Sequence, residues 1–226
     1  MSTYILNIET ATTNCSVSLS KDGETLVLKE DYDKNYSHAE RLHVYIDAVL
    51  KEAKISSKHL DAIAISKGPG SYTGLRIGVS AAKGLCFALD KPLISVPTLE
   101  ALAHQVKTND GVIVAMLDAR RMEVYAAIFD VNYNQIRETQ AQILDETSFS
   151  DCLKKGKVYF IGNGVEKSKK LITHPNAVFI ENKLPSANEM SLLACNKYKI
   201  SDTEDVAYFE PYYLKDFVAL KPKSKS

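Results

Sequence analysis

The sequence predicts an α/β protein built from two similar halves. Segments that alternate like strands are followed by segments with helical spacing, a pattern typical of α/β chains. A strand, a polar turn and a second strand occur at Tyr4–Glu9 with Cys15–Ser20, and again half a chain later at Val112–Asp118 with Val124–Phe129. With the boundary near Gln105–Gly111, we expect a first lobe at 1–106 and a reduced second lobe at 107–226. Its C-terminal tail either stays there or crosses back to the first lobe.

The elements of the first half follow from turn and capping signals. Lys21-Asp22-Gly23 predicts a hairpin turn, because glycine adopts positive φ easily. Ser37 and Glu40 fit a capping box at the start of a helix with an apolar stripe. The remaining predicted elements are a strand at Thr25–Glu30, a strand at Asp61–Ser66, a glycine loop at Gly68–Gly74, a helix to Leu89, a strand at Pro92–Val96 and a helix from a Thr98 cap to Val106.

The second half opens with another hairpin, in which Asp118–Arg121 forms the turn between Val112–Leu117 and Glu123–Val131. After a turn at Asn132–Asn134 the periodicity weakens. The elements predicted beyond it are a helix at Thr147–Leu153, a strand at Val158–Ile161, a helix at Val165–Leu171, a strand at Ala177–Ile180 and a helix from Ser186 to Tyr198.

Composition excludes several classes of protein. The 226 residues hold 28 basic and 28 acidic side chains, so the basic excess of a chain that binds nucleic acid by itself is missing. The lysine-rich tail from Lys215 to Ser226 either contacts phosphate or is a solvated end. The four cysteines lack metal-ligand spacing, which favours reduced thiols in a cytoplasmic protein. No apolar run is long enough to cross a bilayer, so no membrane contact is expected.

The glycine loop admits more than one interpretation. Glycines at a strand-to-helix turn can direct backbone N–H groups at a phosphate. However, Gly68, Gly70 and Gly74 have GxGxxxG spacing, which matches neither the Walker nor the Rossmann form. In the next helix, Gly74, Gly78 and the Ala81/Ala82 pair form a face of small residues. That face allows close packing either inside the chain or against a second subunit.

Other candidate groups are acids and histidines. Glu9 and Asp118 end equivalent strands, so Glu9, its neighbour Thr10, and Asp118 are candidates to face a nucleotide. Asp118 followed by Arg120 is equally consistent with binding a carboxylate or with a local ion pair. His38 and His43 are separated by five positions, about 140° around a helix, so we predict no metal site. No catalytic residue is predicted.

Several segments together resemble the bacterial TsaB (YeaZ) family. The run Lys67–Gly78 resembles that family's GPGSFTGLRIG signature, which is long and specific. Weaker similarities lie in order along nearly the whole chain. They are Ile5–Thr10 (ILNIET), Ser37–Leu42 (SHAERL), Leu117–Tyr125 (LDARRMEVY) and Pro211–Lys215 (PYYLK).

The resemblance implies an actin/hexokinase-like (ASKHA) fold of two lobes and a role in tRNA threonylcarbamoyladenosine formation. It implies a non-catalytic subunit that binds a paralogous TsaD-type transferase and is joined by a TsaE-type small ATPase. tRNA would be bound through the assembled complex, and the chain alone would form a homodimer. It implies no cofactor for this chain, with ATP and metal only in the partner subunits or the assembled complex.

The resemblance also places the partner interface on the helices that start at Ser37 and Gly74. The implied contact residues are Ser37, His38, Arg41, Leu42, Tyr45, Ser71, Tyr72, Gly74, Leu75, Gly78, Val79 and Ala82. On this interpretation, Gly78→Arg blocks dimerisation without unfolding the chain. Two departures are Glu9 for the usual aspartate and Lys215 for arginine, which exchanges a bidentate group for a point charge.

Two alternatives belong to other functional classes. The first is an ATP-dependent phosphotransferase or nucleotide-binding protein of the same superfamily, with Glu9, Thr10 and Asp118 around a metal-nucleotide. The second is a glycoprotease-like peptidase with Ser71 as the candidate nucleophile, although no partner base is evident in the sequence.

Overall fold

Two five-stranded mixed sheets form the framework of the protein. The structure, a computed structural model, describes residues 2–31 and 38–215. The strands are β1 (Tyr4–Glu9), β2 (Cys15–Lys21), β3 (Glu24–Asp31), β4 (Ala62–Ser66), β5 (Leu93–Val96), β6 (Val112–Asp118), β7 (Glu123–Phe129), β8 (Gln135–Ile143), β9 (Val158–Ile161) and β10 (Ala177–Ile180). The helices are α1 (His38–Ala53), α2 (Tyr72–Leu89), α3 (Thr98–Ala103), α4 (Ser150–Leu153), α5 (Val165–Leu171) and α6 (Ala187–Lys199).

The two sheets have the same topology. Their strand orders are β3-β2-β1-β4-β5 and β8-β7-β6-β9-β10. In each, the central strand pairs antiparallel with its hairpin partner and parallel with the strand after the crossover. Glu9 and Asp118 each end the central strand of their sheet. The repeat inferred from the sequence is therefore confirmed in the topology.

Each lobe receives one helix from the other half of the sequence. The first sheet packs against α1 and α2 on one face, whereas Met190 and Ala194 of α6 cover Ile5 and Ile94 on the other. The second sheet packs against α4 and α5 on one face, and Leu102 of α3 packs on the other. Assigning all of 107–226 to the second lobe is therefore wrong, because α6 completes the core of the first.

The C-terminal segment 204–215 also crosses back to the first lobe. Glu204 N donates a hydrogen bond of 2.8 Å to Leu93 O on the edge strand β5. Lys83 of α2 donates to two carbonyl oxygens of the segment, and Tyr212 N donates to Lys67 O at 2.7 Å. Lys215 then pairs with Glu123 on β7, so the segment connects the glycine loop to the second lobe.

A few elements differ from the sequence prediction. Strand β8 was missed, because its sequence, QIRETQAQI, is mostly polar on an exposed sheet edge. Thr98 is not a helix cap: its Oγ1 accepts from Gly68 N at 3.0 Å, and Pro97 occupies the cap position of α3. Ser186 does cap α6, since its side chain accepts from Asn188 N.

The described residues contain no disulfide bond. All four cysteines are free thiols, of which Cys152 is half-buried and the others are buried. Within the described residues, no helix combines the length and the apolar character needed to cross a bilayer.

Candidate functional site

The glycine loop packs against the turn that follows β1. A Cβ added to Gly70 would lie 2.4 Å from the carbonyl oxygen of Ala11, and Ser71 N donates to that oxygen at 2.6 Å. Gly68 has φ +109° and donates its N–H to Thr98 Oγ1. The N–H groups of Gly68 and Ser71 are engaged inside the chain, so neither is available to the phosphate that the phosphate-cradle interpretation requires.

The small residues at the start of α2 serve the same internal contact. A Cβ on Gly74 would lie 2.2 Å from Thr10 O, and one on Gly78 would lie 2.2 Å from Thr10 Oγ1. Thr10 Oγ1 in turn donates to Gly74 O at 2.8 Å. Glycine thus lets α2 approach β1 closely. Gly78→Arg would disrupt the core, so the expectation that it spares folding is wrong.

The prediction that several residues form a surface contact is therefore wrong, because these residues lie in the interior of the first lobe. These are Leu42, Gly74, Leu75, Gly78, Val79 and Ala82. His38 is also only 1% exposed, and its Nε2 lies 2.6 Å from Thr12 O, so it anchors α1 to the β1–β2 turn.

The other predicted interface residues have polar or partly exposed positions. Arg41 pairs with Asp31, and Tyr45 is half-buried against the core. Ser71 caps α2 by accepting from Gly74 N at 3.3 Å. Tyr72 lines the space between the lobes. Ser37 lies outside the described residues. The partner-binding role of these residues stays a prediction.

The outer sides of α1 and α2 form a largely apolar surface, here called the α1–α2 face. A groove of about 600 Å³ runs between the two helices. The groove is lined by His38, Ala39, His43, Arg76, Ile77, Ser80, Ala81, Gly84 and Leu85. Phe87 beside it on α2 is 87% exposed, and Val44 on α1 is 61% exposed. A Cβ on Gly84 would meet nothing within 4 Å.

Most of this face, including Val44, Ile77 and Phe87, was not predicted from the sequence. The spacing of Ile77, Ala81, Gly84 and Ala88 follows a helical stripe, and this was the available signal. It lies beside the glycine stripe on the same helix, and periodicity alone cannot tell which stripe faces the core.

A second concave region lies between the lobes, bounded by the glycine loop, the β6–β7 turn and the C-terminal segment. This cleft has a volume of about 650 Å³. Asp118 lines it, as predicted for a group facing a ligand, but Asp118 Oδ1 is 2.9 Å from Lys167 Nζ and also accepts from Arg120 N at 2.6 Å. The Asp118 carboxylate is therefore already paired within the chain.

Glu9 and Thr10 do not face the cleft, which corrects their assignment as nucleotide-facing residues. Both are fully buried. Glu9 Oε1 accepts from Ala11 N at 2.5 Å, and burial raises the pKa of this carboxyl to about 7. Residues Ala11 and Thr12, just beyond, line the cleft in their place.

The part of the chain that the structure describes contains no cluster of side chains that could bind a metal ion. Residues 2–31 and 38–215 contain no group of three or more histidine, cysteine, aspartate or glutamate side chains placed to hold an ion. His38 is buried with its Nε2 against Thr12 O, whereas His43 is exposed, and both residues line the groove between α1 and α2.

Two lobes with matching sheets around a cleft define a protein of the actin-like ASKHA class. The sequence model of the family described as "TsaD: tRNA N6-adenosine threonylcarbamoyltransferase" matches residues 33–223. An Escherichia coli (strain K12) protein, 32% identical over 96% of both chains, is named "tRNA threonylcarbamoyladenosine biosynthesis protein TsaB". The chain belongs to the TsaB (YeaZ) family.

Other relatives agree with this assignment. A Bacillus subtilis (strain 168) protein of the same name is 30% identical over 74% of each chain. The solved structure of YeaZ from Pseudomonas aeruginosa superposes with a TM-score of 0.80 at 26% identity. That alignment covers 94% of this chain and 100% of the Pseudomonas chain.

Proposed function

We propose that this chain is a non-catalytic subunit in tRNA threonylcarbamoyladenosine biosynthesis, and that its α1–α2 face binds a TsaD-type transferase. The observation that carries the proposal is the exposure of large apolar side chains around a groove of small residues. Phe87 is 87% exposed beside Gly84. A contiguous apolar surface of this kind is typical of a protein–protein interface, and small residues let a partner helix approach closely.

Three features support the non-catalytic part. The Glu9 carboxyl lies inside the lobe, where no substrate reaches it. The Asp118 carboxylate is held by Lys167, so the phosphotransferase alternative has no free acid from the predicted set. The Ser71 hydroxyl accepts a hydrogen bond from Gly74 N as a helix cap, which is a structural role and not that of a peptidase nucleophile.

The proposal includes the remaining partners. A TsaE-type small ATPase and tRNA join the assembled complex in the cytoplasm, and ATP and metal are held by the partner subunits. Without the transferase, the chain forms a homodimer through the same α1–α2 face, because an exposed apolar surface is most stable when covered.

Two glycine substitutions test the interface. A Cβ at Gly84 on the α1–α2 face and one at Gly156 on the second lobe would each meet nothing within 4 Å. Arginine is therefore accommodated by the folded chain at both positions, and only the surface changes. Each variant is mixed with the TsaD-type transferase, and the mass of the complex is measured by size-exclusion chromatography with light scattering.

We expect Gly84→Arg to abolish the one-to-one complex while its thermal midpoint stays near that of the unmodified chain. Gly156→Arg should bind as the unmodified chain does. A normal complex formed by Gly84→Arg would contradict the proposed interface.

A further inference from the structure

The turn between β6 and β7 contains two arginines in an unfavourable backbone conformation. Arg120 has φ +68° and Arg121 has φ +49°, in the left-handed region that favours glycine and asparagine. Both side chains belong to exposed residues. Arginine is therefore not explained by turn propensity at these positions, and we infer that its positive charge is the property that matters.

The chain holds this turn firmly in place. Lys167 Nζ donates to Arg121 O at 2.5 Å and to Glu123 O at 3.0 Å, and Ala119 N donates to Glu123 O at 3.0 Å. Lys167 reaches the turn from α5, with its side chain only 14% exposed. Arg120 therefore lines the cleft on a turn held by several hydrogen bonds, and Arg121 follows it in the same turn.

The acids near the turn are already neutralised. Asp118 pairs with Lys167, and Glu123 pairs with Lys215. Within residues 2–31 and 38–215, no ion pair involves the side chains of Arg120 or Arg121. Their guanidinium groups remain available for an anion from outside the chain.

Three tyrosines, Tyr72, Tyr212 and Tyr213, line the opposite side of the cleft. The rings of Tyr72 and Tyr213 have centroids 5.0 Å apart, and the Arg76 guanidinium lies 4.1 Å from the centre of the Tyr72 ring. Arg76 Nε also donates to Tyr213 Oη at 3.2 Å. Tyr212 beside them is 43% exposed. Aromatic and guanidinium planes of this kind bind unstacked nucleobases.

We infer that this cleft rim binds a single-stranded loop of tRNA, with phosphates on Arg120 and Arg121 and bases against Tyr72, Tyr212 and Tyr213. The inference rests on the proposed function, because the relatives are named as tRNA-modification proteins. It extends that function by assigning the RNA contact to the cleft rim, which meets the α1–α2 groove at Arg76.

Unpaired bases are required for this mode of binding. In double-stranded RNA the bases are stacked within the helix and unavailable to aromatic side chains. The rim should therefore distinguish a tRNA from a perfectly paired RNA duplex of similar length and charge.

The test compares tRNA binding by the complex of this chain with the TsaD-type transferase across a salt series. Variants are Arg120→Ala/Arg121→Ala and, as a charge-matched control, Lys154→Ala/Lys170→Ala at a separate surface cavity of the second lobe. Complex formation is measured in parallel by light scattering. We expect the double arginine variant to form the complex, to lose tRNA affinity and to lower the slope of log affinity against log salt by between about 1 and 2.

The control should bind tRNA with an unchanged slope, and the RNA duplex should show no difference between the variants. An unchanged slope for the arginine variant would overturn the inference while leaving the proposed interface intact. Loss of the complex in that variant would overturn it too, since the rim would then contact the transferase. Displacement of tRNA from the rim by ATP alone would assign the cleft to a mononucleotide and overturn the inference as well.

Discussion

Glu9 is an ionisable residue that the fold has placed entirely in the interior. Its carboxyl accepts from Ala11 N, next to the Ala11 carbonyl that receives Ser71 N. Glu9 thus supports the turn against which the glycine loop packs. The sequence indicated that Glu9 ends a buried strand, but the direction of its side chain depends on how α2 covers that strand end. That contact is tertiary, and no local pattern reports it.

Stability should fall with rising pH because of Glu9. Its pKa is raised by burial from 4.5 to about 7, so the folded chain binds a proton that the unfolded chain has released between these values. The stabilising contribution is complete below pH 4.5 and is lost as the pH rises to 7, which corresponds to about 3 kcal/mol. Glu9→Gln removes this contribution and keeps an acceptor for Ala11 N.

Urea denaturation at pH 5 and pH 8 measures the effect. We expect the unmodified chain to lose about 2.5 kcal/mol more than Glu9→Gln between the two conditions, because part of the loss has already occurred at pH 5. The same pH dependence in both proteins would show that Glu9 is ionised in the folded state at pH 5.

Helix α2 carries two stripes of small residues with opposite roles. Gly74 and Gly78 face inward and contact Thr10, whereas Gly84 faces outward onto open space. The sequence indicated the helix and its small residues correctly, since both depend on local spacing. It could not assign the stripes, because the partner of each stripe comes from a distant segment or from another molecule.

Two alanine substitutions should separate the stripes. At Gly78 the new Cβ would meet Thr10 Oγ1 at 2.2 Å, and overpacking of about 1–3 kcal/mol outweighs the gain in helix propensity. At Gly84 there is no clash, so Gly84→Ala should raise the free energy of unfolding by up to about 1 kcal/mol. Denaturant unfolding of both variants measures the change in the free energy of unfolding, which should be negative for Gly78→Ala and positive for Gly84→Ala. Equal changes in the two variants would contradict the assignment of the stripes.

The strands also show that local sequence patterns predict some elements and not others. The hairpins of β1–β2 and β6–β7 were predictable, because each has an apolar alternation around a polar turn. Strand β8 was not, because it is a polar strand at the edge of the sheet, where it pairs with β7. Strand β8 forms because its backbone N–H and C=O groups pair with those of β7. That pairing cannot be predicted from the sequence of β8 alone.

At the scale of the whole molecule, the two lobes are joined by exchanged helices. Helix α6 covers the first sheet, and α3 packs on the second. The C-terminal segment adds a connection from β5, past the glycine loop, to Glu123. The duplicated topology was visible in the sequence as a repeated hairpin, whereas the exchange was not, because α6 has the same helical signals whichever sheet it covers.

The exchange predicts that the first half cannot fold by itself. In a fragment of residues 1–106, Ile5, Ile94 and Val96 would lose the cover that Met190 and Ala194 provide. We expect this fragment to show no cooperative thermal transition by circular dichroism, whereas residues 1–215 unfold cooperatively. A sharp transition in the fragment would mean that α6 is dispensable for the first lobe.

The central claim is that the chain supports threonylcarbamoyl transfer by docking through its α1–α2 face without performing the chemistry. The most direct measurement is the transfer rate to tRNA in a mixture of TsaD-type transferase, TsaE-type ATPase and this chain, supplied unmodified, as Gly84→Arg or as Gly156→Arg. We expect full transfer with the unmodified chain and Gly156→Arg, and the same low rate with Gly84→Arg as with no chain. Full transfer with Gly84→Arg, or without the chain, would contradict the proposed docking role.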